Sequence, residues 1–388
     1  MRYCLQSTAT HRLIATDMLA FDVFPESGQS RVIDVDEPQV TTSDEVRLRV
    51  LDVGICGTDR EIAAGDYGTA PIGVDHLILG HESLAEVVEA GADSGFSAGD
   101  LVVPTVRRPC PHEYCTACQN QQQDFCYTGD FTERGIKQRH GFMSQLVVEK
   151  AEFLKPMPAG LRDVGVLVEP LTIAEKALAQ IWRVQQRLPW ACAIDPTARP
   201  SQGCSALVLG AGPVGLLGAM ALVESGFHTH VYSREPVGGP RSQLVESFGG
   251  RYLSSEDFKV EDLPGELHGI DVVYEATGAS ALAFDVLRVL GTNGVYVFTG
   301  VPGRKHPFEI DGATIMRNLV LKNQVVFGTV NAGPEAFQSA IDRLGRFMQA
   351  WPDAVRSLIT RRWPLAEVDR LLTEPGPGIK HVACIDEL

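Results

Sequence analysis

The sequence predicts an α/β protein of two domains, in which a β-rich domain is followed by a doubly wound parallel sheet. The chain has 388 residues, a length for which two domains are expected. Its first third contains short stretches of alternating apolar and charged residues, separated by glycine turns. Its middle alternates apolar strands with helical stretches, a pattern typical of parallel sheets covered by helices.

The first domain is predicted from three strand-like stretches. Residues 45–53 alternate apolar and charged side chains, as a half-buried strand does. Residues 83–90 form a second such stretch, and residues 101–103 follow a glycine turn. We therefore expect barrel-like, β-rich structure in this part of the chain.

The second domain begins with a predicted helix over residues 175–186, followed by a loose, proline-containing stretch over residues 189–203. A continuous apolar strand is predicted over residues 204–209 and an apolar helix over residues 216–224. Later strands are predicted at residues 228–232, 270–274, 294–299 and 324–330. From about residue 332, a helix and two strand-like runs are expected to return to the first domain. The predicted division is residues 1–172 with 332–388, and residues 173–331.

Four cysteines lie within one short stretch, with the spacing C-x4-C-x2-C-x7-C at Cys110, Cys115, Cys118 and Cys126. Four thiolates can surround one zinc ion in a tetrahedron, and a C-x2-C step holds two of them on one turn. Disulfides are the alternative, but the cysteine count of nine is odd and no apolar leader opens the sequence. His112 lies inside the cluster and is an alternative to Cys110 as the fourth ligand. We predict a structural zinc site and a cytoplasmic protein.

A second group of metal-binding side chains is predicted outside this cluster. Cys56 follows a predicted strand in a glycine turn, and the pair His81 and Glu82 precedes another strand. Catalytic zinc uses three protein ligands and keeps one position open. Glu169, which precedes Pro170 at the domain junction, is the predicted third ligand. The sequence therefore predicts two zinc ions per chain.

A dinucleotide-binding loop is predicted directly after the apolar strand that ends at residue 209. Gly210, Gly212 and Gly215 form a G-x-G-x-x-G motif between a strand and a helix, which is the context this motif requires. They permit a tight turn, close approach of the pyrophosphate and close packing of helix on strand. The helix N-terminus then faces the phosphates.

The end of the next strand indicates which nicotinamide cofactor binds. An acidic residue there would bind the ribose 2′-hydroxyl of NAD, but the sequence has Ser233 and Arg234. Arg234 can pair with the 2′-phosphate of NADP, and Arg241 can assist it. Glu235 favours the opposite interpretation, since it could bind a 2′-hydroxyl. We predict NADP, with NAD as a possible second cofactor.

Composition excludes two classes of partner. The formal net charge of −15 argues against non-specific binding of nucleic acid. No run of 18 apolar residues is present, so no membrane span is expected. The expected partner is a small molecule, and we further expect a homodimer or a homotetramer.

With these motifs together, the chain resembles the zinc-dependent medium-chain alcohol dehydrogenase superfamily. Within it, the chain is most similar to the glucose dehydrogenase family of archaea and some bacteria. The resemblance implies a GroES-like catalytic domain and a Rossmann domain. It extends over nearly the whole chain and is carried by residues 54–61 (GICGTDRE), 79–82 (LGHE), 104–108 (PTVRR), 130–136 (DFTERGI), 168–171 (VEPL), 275–278 (EATG) and 328–331 (GTVN).

The resemblance implies roles for individual residues. A catalytic zinc would be held by Cys56, His81 and Glu169, with Glu82 entering or leaving the coordination shell. Sugar contacts are implied for Thr58, Glu133, Glu169 and Asn331. Cofactor contacts are expected at Gly210, Gly212, Pro213, Val214, Gly215, Ser233, Arg234, Ala276, Thr277, Gly278, Thr329, Val330, Asn331 and Lys380.

The implied reaction is oxidation of an aldose, glucose first, at C1 to its lactone, with NADP+ accepting the hydride. Thr58 with His81 or Glu82 would relay the proton outward. The sequence departs from the family at its longer first cysteine spacing, at Ala85 in place of a glycine, and at Val106 and Ile173 in place of polar residues. The last two bear on the preferred sugar. The alternatives are a polyol or secondary-alcohol dehydrogenase, and a non-catalytic NADPH-binding zinc protein.

Overall fold

Short strands dominate the first part of the chain. The computed structural model describes residues 17–189, 203–303, 307–374 and 376–385. Two short helices are α1 (Gly57–Ala63) and α2 (Thr116–Gln119). The strands are β1 (Asp17–Phe24), β2 (Gln29–Asp36), β3 (Glu45–Ile55), β4 (Leu77–Ile78), β5 (Glu82–Ala90), β6 (Leu101–Pro104), β7 (Arg107–Arg108), β8 (Thr132–Arg134), β9 (Gln138–Arg139), β10 (Leu146–Lys150) and β11 (Leu154–Pro156).

The second part alternates helices and strands. Its strands are β12 (Ser205–Leu209), β13 (His228–Ser233), β14 (Arg251–Ser254), β15 (Val272–Glu275), β16 (Val295–Phe298), β17 (Val325–Gly328), β18 (Ile359–Pro364) and β19 (Lys380–Cys384). Its helices are α3 (Val168–Gln185), α4 (Pro213–Glu224), α5 (Pro240–Ser247), α6 (Leu263–Glu266), α7 (Ser280–Leu287), α8 (Gly312–Leu321), α9 (Pro334–Ala350), α10 (Pro352–Leu358) and α11 (Val368–Thr373).

Two larger sheets position the functional residues. The first has the order β11-β6-β5-β3-β19-β18, with β10 also paired to β3. The second is entirely parallel, with the order β14-β13-β12-β15-β16-β17. Its strand order reverses beside β12, and ligands of doubly wound sheets bind at such a switch point. Two three-stranded sheets, β2-β1-β4 and β7-β8-β9, flank the first.

The predicted strands agree with the structure to within a few residues, but the helix predicted at residue 175 begins seven residues earlier. Helix α3 starts at Val168, so Glu169 and Pro170 lie in its first turn. Proline is tolerated there because the first N–H groups of a helix have no partner within the helix. The same applies to α4, which starts at Pro213 rather than at residue 216. Most of the predicted loose stretch, residues 190–202, lies outside the described residues.

The last strands lie in the first large sheet, since β19 pairs with β3 and β18 pairs with β19. The division of the chain into domains at residues 172 and 331 remains a prediction. Within the described parts of the chain, no helix is long and apolar enough to cross a membrane.

Candidate active site

The first candidate site lies where β3 ends and β5 begins. Cys56 follows β3 and caps α1, and its sulfur accepts a hydrogen bond from the backbone N–H of Thr58 at 3.2 Å. His81 immediately precedes β5, and its Nε2 lies 3.1 Å from the Cys56 sulfur. One ligand atom each from Cys56, His81 and Glu82 lies within 4.8 Å of the other two. The structure thus brings together three of the four predicted ligands of the catalytic metal.

Asp59 contacts two of these three residues, Cys56 and His81, a role that the sequence analysis did not assign. Its carboxylate is fully buried; one oxygen accepts from the Cys56 backbone N–H at 2.9 Å and the other lies 3.5 Å from His81 Nδ1. Burial raises the pKa of Asp59, but His81, the Cys56 backbone N–H and Lys380 together outweigh it, so the pKa lies below its ordinary range. Burial likewise opposes protonation of His81, yet Cys56 and Asp59 raise its pKa well above the ordinary value. Asp59 therefore fixes the ring so that Nε2 faces the cysteine.

Glu82 is held in position by Lys380, a residue of the strand β19. Its carboxylate forms a buried ion pair with Lys380 of β19, and Lys380 Nζ also donates to the Ile55 carbonyl at 3.0 Å. A Cβ atom at Gly54 would lie 2.1 Å from the Glu82 carboxylate, so only glycine leaves room there. The sequence analysis expects Lys380 to contact the cofactor. In the structure its Nζ contacts Glu82 and the Ile55 carbonyl, beside the metal-binding residues.

Glu169 lies in the first turn of α3 and is not one of the three groups within 4.8 Å. Its carboxyl group is nevertheless near these residues: the charges of both His81 and Glu82 act on it and shift its pKa. Burial is the largest cause of the shift and Glu82 adds to it, whereas His81 and Lys380 oppose it, and the pKa rises to about 7. Its role as a metal ligand and sugar contact remains a prediction.

These residues fit a zinc ion. The donors are a sulfur, an imidazole nitrogen and carboxylate oxygens, which is the ligand chemistry of catalytic zinc. Asp59 behind His81 supplies the outer carboxylate that commonly orients a metal-bound histidine. Because cysteine and histidine bind a metal in their deprotonated forms, metal binding at Cys56 and His81 is expected to release protons.

The four-cysteine lobe, residues 110–126, fits a second zinc ion. The sulfurs of Cys110, Cys115, Cys118 and Cys126 lie within 4.8 Å of one another, and none of the four is in a disulfide. Burial raises the pKa of Cys118 to about 12. Burial also opposes ionisation of Cys126, but hydrogen bonds, led by Thr128, lower its pKa to about 6. A bound zinc ion would hold the four cysteines as thiolates.

His112 lies outside the four sulfurs. Its Nε2 contacts the Asp130 carboxylate at 2.5 Å, and its ring stacks on Tyr114 at 5.0 Å between centroids. The structure therefore favours Cys110 over His112 as the fourth ligand.

The predicted sugar contacts Glu133 and Asn331 are adjacent. Asn331 Nδ2 donates to Glu133 Oε1 at 2.6 Å, joining β8 to the loop after β17 across 198 residues of sequence. Arg107 of β7 donates from Nε to the same oxygen at 3.0 Å. Glu133 is 5% exposed, and its Oε1 is held by both Asn331 and Arg107. The pair therefore offers a ligand a small number of polar atoms in fixed positions. Thr58 lies half-buried beside Cys56, in the first turn of α1.

The predicted dinucleotide loop follows β12. Gly210 has φ +100°, a conformation that favours glycine, and a Cβ atom at Gly215 would lie 2.2 Å from the Gly210 carbonyl oxygen. Gly212, by contrast, has open space around the position of a Cβ atom, as close approach of a phosphate requires. Pro213 and Val214 form the first turn of α4, whose N-terminus faces the loop.

A buried carboxylate shapes the neighbouring loop after β15. Glu275 accepts hydrogen bonds from the backbone N–H groups of Thr277 at 2.6 Å, Gly278 at 2.9 Å and Gly300 at 3.2 Å. Thr277 Cγ2 would lie 2.7 Å from a Cβ atom at Gly210, so the loop that contains Ala276 packs against the glycine turn. The sequence pattern contained Glu275, but its positioning role was missed.

The residues predicted to distinguish NADP from NAD lie at the end of β13. Ser233 closes the strand and Arg234 follows it, exposed and without an ion pair to any other residue that the structure describes. Glu235, the residue that favours NAD, forms an ion pair with Arg241. Glu235 is therefore engaged, whereas Arg234 is available for a phosphate.

The loop after β17 contains the remaining predicted cofactor contacts. Thr329 accepts a hydrogen bond from Gln180 at 2.8 Å, and the Val330 carbonyl accepts one from Lys176 at 2.9 Å. The strand predicted to reach residue 330 ends at Gly328, and Asn331, three residues further on, has φ +57°. The structure thus gathers Thr329, Val330 and Asn331 beside helix α3.

Comparison with known proteins agrees with this arrangement. Residues 42–159 match the alcohol dehydrogenase GroES-like domain, and residues 162–385 match the glucose dehydrogenase C-terminus. A glucose 1-dehydrogenase of Methanocella arvoryzae is 39% identical over 352 residues, covering 90% of this chain and 94% of the relative. A glucose 1-dehydrogenase of Thermoproteus tenax is 40% identical over 371 residues, covering 94% of this chain and 99% of the relative.

The solved structures give the same result. Haloferax mediterranei glucose dehydrogenase in complex with NADP, Zn and gluconolactone matches with a TM-score of 0.84 and 32% identity, over 96% of this chain and all of the other. The 2R,3R-butanediol dehydrogenase of Bacillus subtilis, at 22% identity and a TM-score of 0.75, shares the fold.

A GroES-like domain, a parallel dinucleotide-binding sheet and two zinc-type ligand sets define the class of zinc-dependent medium-chain dehydrogenases. Within that class, the chain belongs to the glucose dehydrogenase family.

Proposed function

We propose that the protein is a glucose 1-dehydrogenase that oxidises D-glucose at C1 to the lactone and reduces NADP+. The observation that carries the proposal is the Glu133–Asn331 hydrogen bond, which connects the Rossmann sheet to the first domain beside Arg107. A polyhydroxyl ring needs such fixed polar partners, since a site built for hydroxyl groups rejects substrates that leave them unpaired. The relative solved with NADP, Zn and gluconolactone supports the same substrate and product.

Cys56, His81 and Glu169 would hold the catalytic zinc, with Glu82 beside them. When bound, zinc acts as a Lewis acid that lowers the pKa of a hydroxyl group on the substrate. Two buried residues assist these ligands: Asp59 orients His81, and Lys380 balances the charge of Glu82. Cys110, Cys115, Cys118 and Cys126 would hold the structural zinc.

The chain's own residues perform the remaining tasks. Glu133 and Asn331 would bind and orient the sugar for oxidation at C1, and the bound nicotinamide would supply the hydride acceptor. Thr58, whose backbone N–H bonds the Cys56 sulfur, would start a path that takes the hydroxyl proton outward, with His81 or Glu82 as the next group. The glycine loop at Gly210–Gly215 binds the pyrophosphate, and Arg234 binds the 2′-phosphate. NAD, which lacks that phosphate, is expected to be the weaker cofactor.

The test is a comparison of initial rates on a panel of aldoses, polyols and secondary alcohols with NADP+ and NAD+. The highest kcat/KM is expected for glucose with NADP+, and gluconolactone is the expected product. A polyol or secondary alcohol as the best substrate would overturn the proposed sugar specificity. No turnover of any compound by fully zinc-loaded protein would overturn the proposed activity.

A further inference from the structure

One short segment of the four-cysteine lobe is connected to the Glu133–Asn331 pair through two intervening side chains, Arg107 and Lys176. Residues 123–125 lie between Cys118 and Cys126 and form a single 3-10 turn. Gln123 and Asp124 are 3% and 7% exposed, which is unusual for polar residues in a surface lobe. The proposed reaction uses neither residue, so the burial of Asp124 calls for another explanation.

One connection runs through Arg107 to Glu133. Arg107 donates from Nη1 to the Asp124 backbone carbonyl at 3.2 Å and from Nε to Glu133 Oε1 at 3.0 Å. Its guanidinium carbon lies 3.7 Å from the centroid of the Phe131 ring. A planar guanidinium that is bonded on two sides and stacked on a third has little freedom to move. The position of the lobe backbone therefore determines the position of the Glu133 carboxylate.

A second connection runs through Lys176 to Asn331. Asp124 Oδ2 lies 2.8 Å from Lys176 Nζ, which also donates to the Val330 carbonyl at 2.9 Å. Both charged side chains are buried, at 2% and 8% exposure. The loop passes so close to Asp124 that a Cβ atom at Gly333 would lie 2.8 Å from its Oδ1. Asn331 itself has φ +57°, and its Oδ1 accepts from the Ala332 backbone N–H at 2.8 Å, so the loop has a defined local conformation.

We propose that Asp124, Lys176 and Arg107 are positioning residues, through which the four-cysteine lobe sets the geometry of the Glu133–Asn331 pair and hence the affinity for sugar. The inference rests on the proposed function only in taking that pair as the sugar-binding group. A buried ion pair is weak evidence for a contribution to stability, because desolvation offsets much of the attraction. The Asp124–Lys176 pair is better explained by the fixed position that it gives to the Val330 carbonyl.

The test uses the full-length, zinc-loaded enzyme and the best substrate of the panel. Asp124→Asn removes the ion pair but keeps the backbone contact with Arg107, and Lys176→Gln breaks the same pair from the other side. Each variant is expected to raise KM for the sugar about tenfold, with kcat changed less than about twofold. The matched control is Glu175→Gln, which removes the neighbouring ion pair of α3 with Arg343. It is expected to lower the melting temperature without changing KM for the sugar.

A double-mutant cycle with Asn331→Ala separates positioning from general stability. If Asp124 acts through Asn331, the effect of Asp124→Asn on kcat/KM should fall below about threefold in the Asn331→Ala background. Equal effects in both backgrounds, or an equal KM increase in Glu175→Gln, would overturn the inference. If the best substrate proves not to be an aldose, the proposed function fails, while the cycle on that substrate still decides the role of the lobe.

Discussion

Asp59 shows how a single buried carboxylate organises the metal-binding residues. It is fully buried, bonds the backbone of Cys56 and faces His81 Nδ1. In the sequence it is one residue of the motif at positions 54–61, which the sequence analysis describes as a glycine turn and not as the helix α1. Its contact with His81 depends on β3 and β5 lying side by side, which the sequence does not specify locally.

We expect Asp59→Asn to weaken zinc binding at the catalytic site by about 10- to 100-fold, since an outer carboxylate orients the histidine and raises its basicity. The measurement is competition for zinc with a chelator, together with turnover at saturating zinc. Asp66, an exposed aspartate after α1, supplies the control variant Asp66→Asn, which should bind zinc normally. Unchanged zinc affinity in Asp59→Asn would show that His81 is oriented without it.

Glu169 gives a sharper test, because its role as a ligand remains a prediction. Glu169→Gln retains an oxygen donor but loses the charge, so we expect weaker zinc binding and partial activity. Glu169→Ala removes the donor and is expected to lose the catalytic zinc and most turnover. Zinc content and kcat are measured for both variants. Full zinc content with a normal rate in Glu169→Ala would remove Glu169 from the site.

Arg234 is expected to select NADP. Arg234→Ala should raise KM for NADP+ and leave KM for NAD+ nearly unchanged, because a charge-assisted contact worth about 1.5–3 kcal/mol is lost only with the phosphorylated cofactor. Arg251→Ala, which removes another exposed arginine at the opposite, amino end of the neighbouring strand β14, is the control. Similar changes in KM for both cofactors would mean that Arg234 does not bind the 2′-phosphate.

At the scale of elements, the four-cysteine lobe is a folding unit that depends on its metal. Wild-type protein should contain about two zinc ions per chain, and Cys118→Ser about one, with a lower melting temperature. Elemental analysis and thermal unfolding measure these quantities. Cys204→Ser, outside both metal-binding sets, is the control. Two zinc ions in Cys118→Ser, or an unchanged melting temperature, would contradict the structural role.

A second element-scale feature is the buried carboxylate of β10. Glu149 accepts from Arg108 Nη2 at 2.5 Å, Arg134 Nε at 2.8 Å and Arg139 Nη2 at 3.4 Å. Burial alone would raise the pKa of Glu149, but the three arginines lower it to about 2. The cluster thus joins β10 to β7, β8 and β9, which carry Arg107 and Glu133.

The lowered pKa has a consequence for acid stability. A carboxyl group with a folded-state pKa below its unfolded value stabilises the protein above the unfolded pKa, and this contribution is lost as pH falls from about 4.5 to 2. Glu149→Gln should therefore be less stable at pH 7 by about 3 kcal/mol, with the difference shrinking below pH 4.5. Denaturant unfolding across this range measures it, with the exposed Glu152→Gln as control. A difference that is independent of pH would contradict this assignment.

At the scale of the whole molecule, local patterns predicted what depends on neighbours in sequence. The strand, glycine loop and helix from residue 205 to 224 and the four-cysteine cluster are of this kind. Sequence reasoning did not find the roles of Asp59, Lys380 and Lys176, because each acts on residues that are far away in the chain or on another strand. It also placed the start of α3 at residue 175, seven residues later than the helix begins at Val168.

The pairing of β19 with β3 bears on how the protein is made. Lys380 Nζ and the Ile55 carbonyl that it bonds are separated by 325 residues of sequence. A chain emerging from the ribosome therefore carries Cys56, His81 and Glu82 for most of its synthesis without the cation that balances Glu82. During that interval residues 52–55 of β3, which pair with β19, lack their partner on that edge and are open to wrong strand pairing. Completion of the first zinc site is thus expected to be among the last steps of folding, after synthesis has passed residue 384.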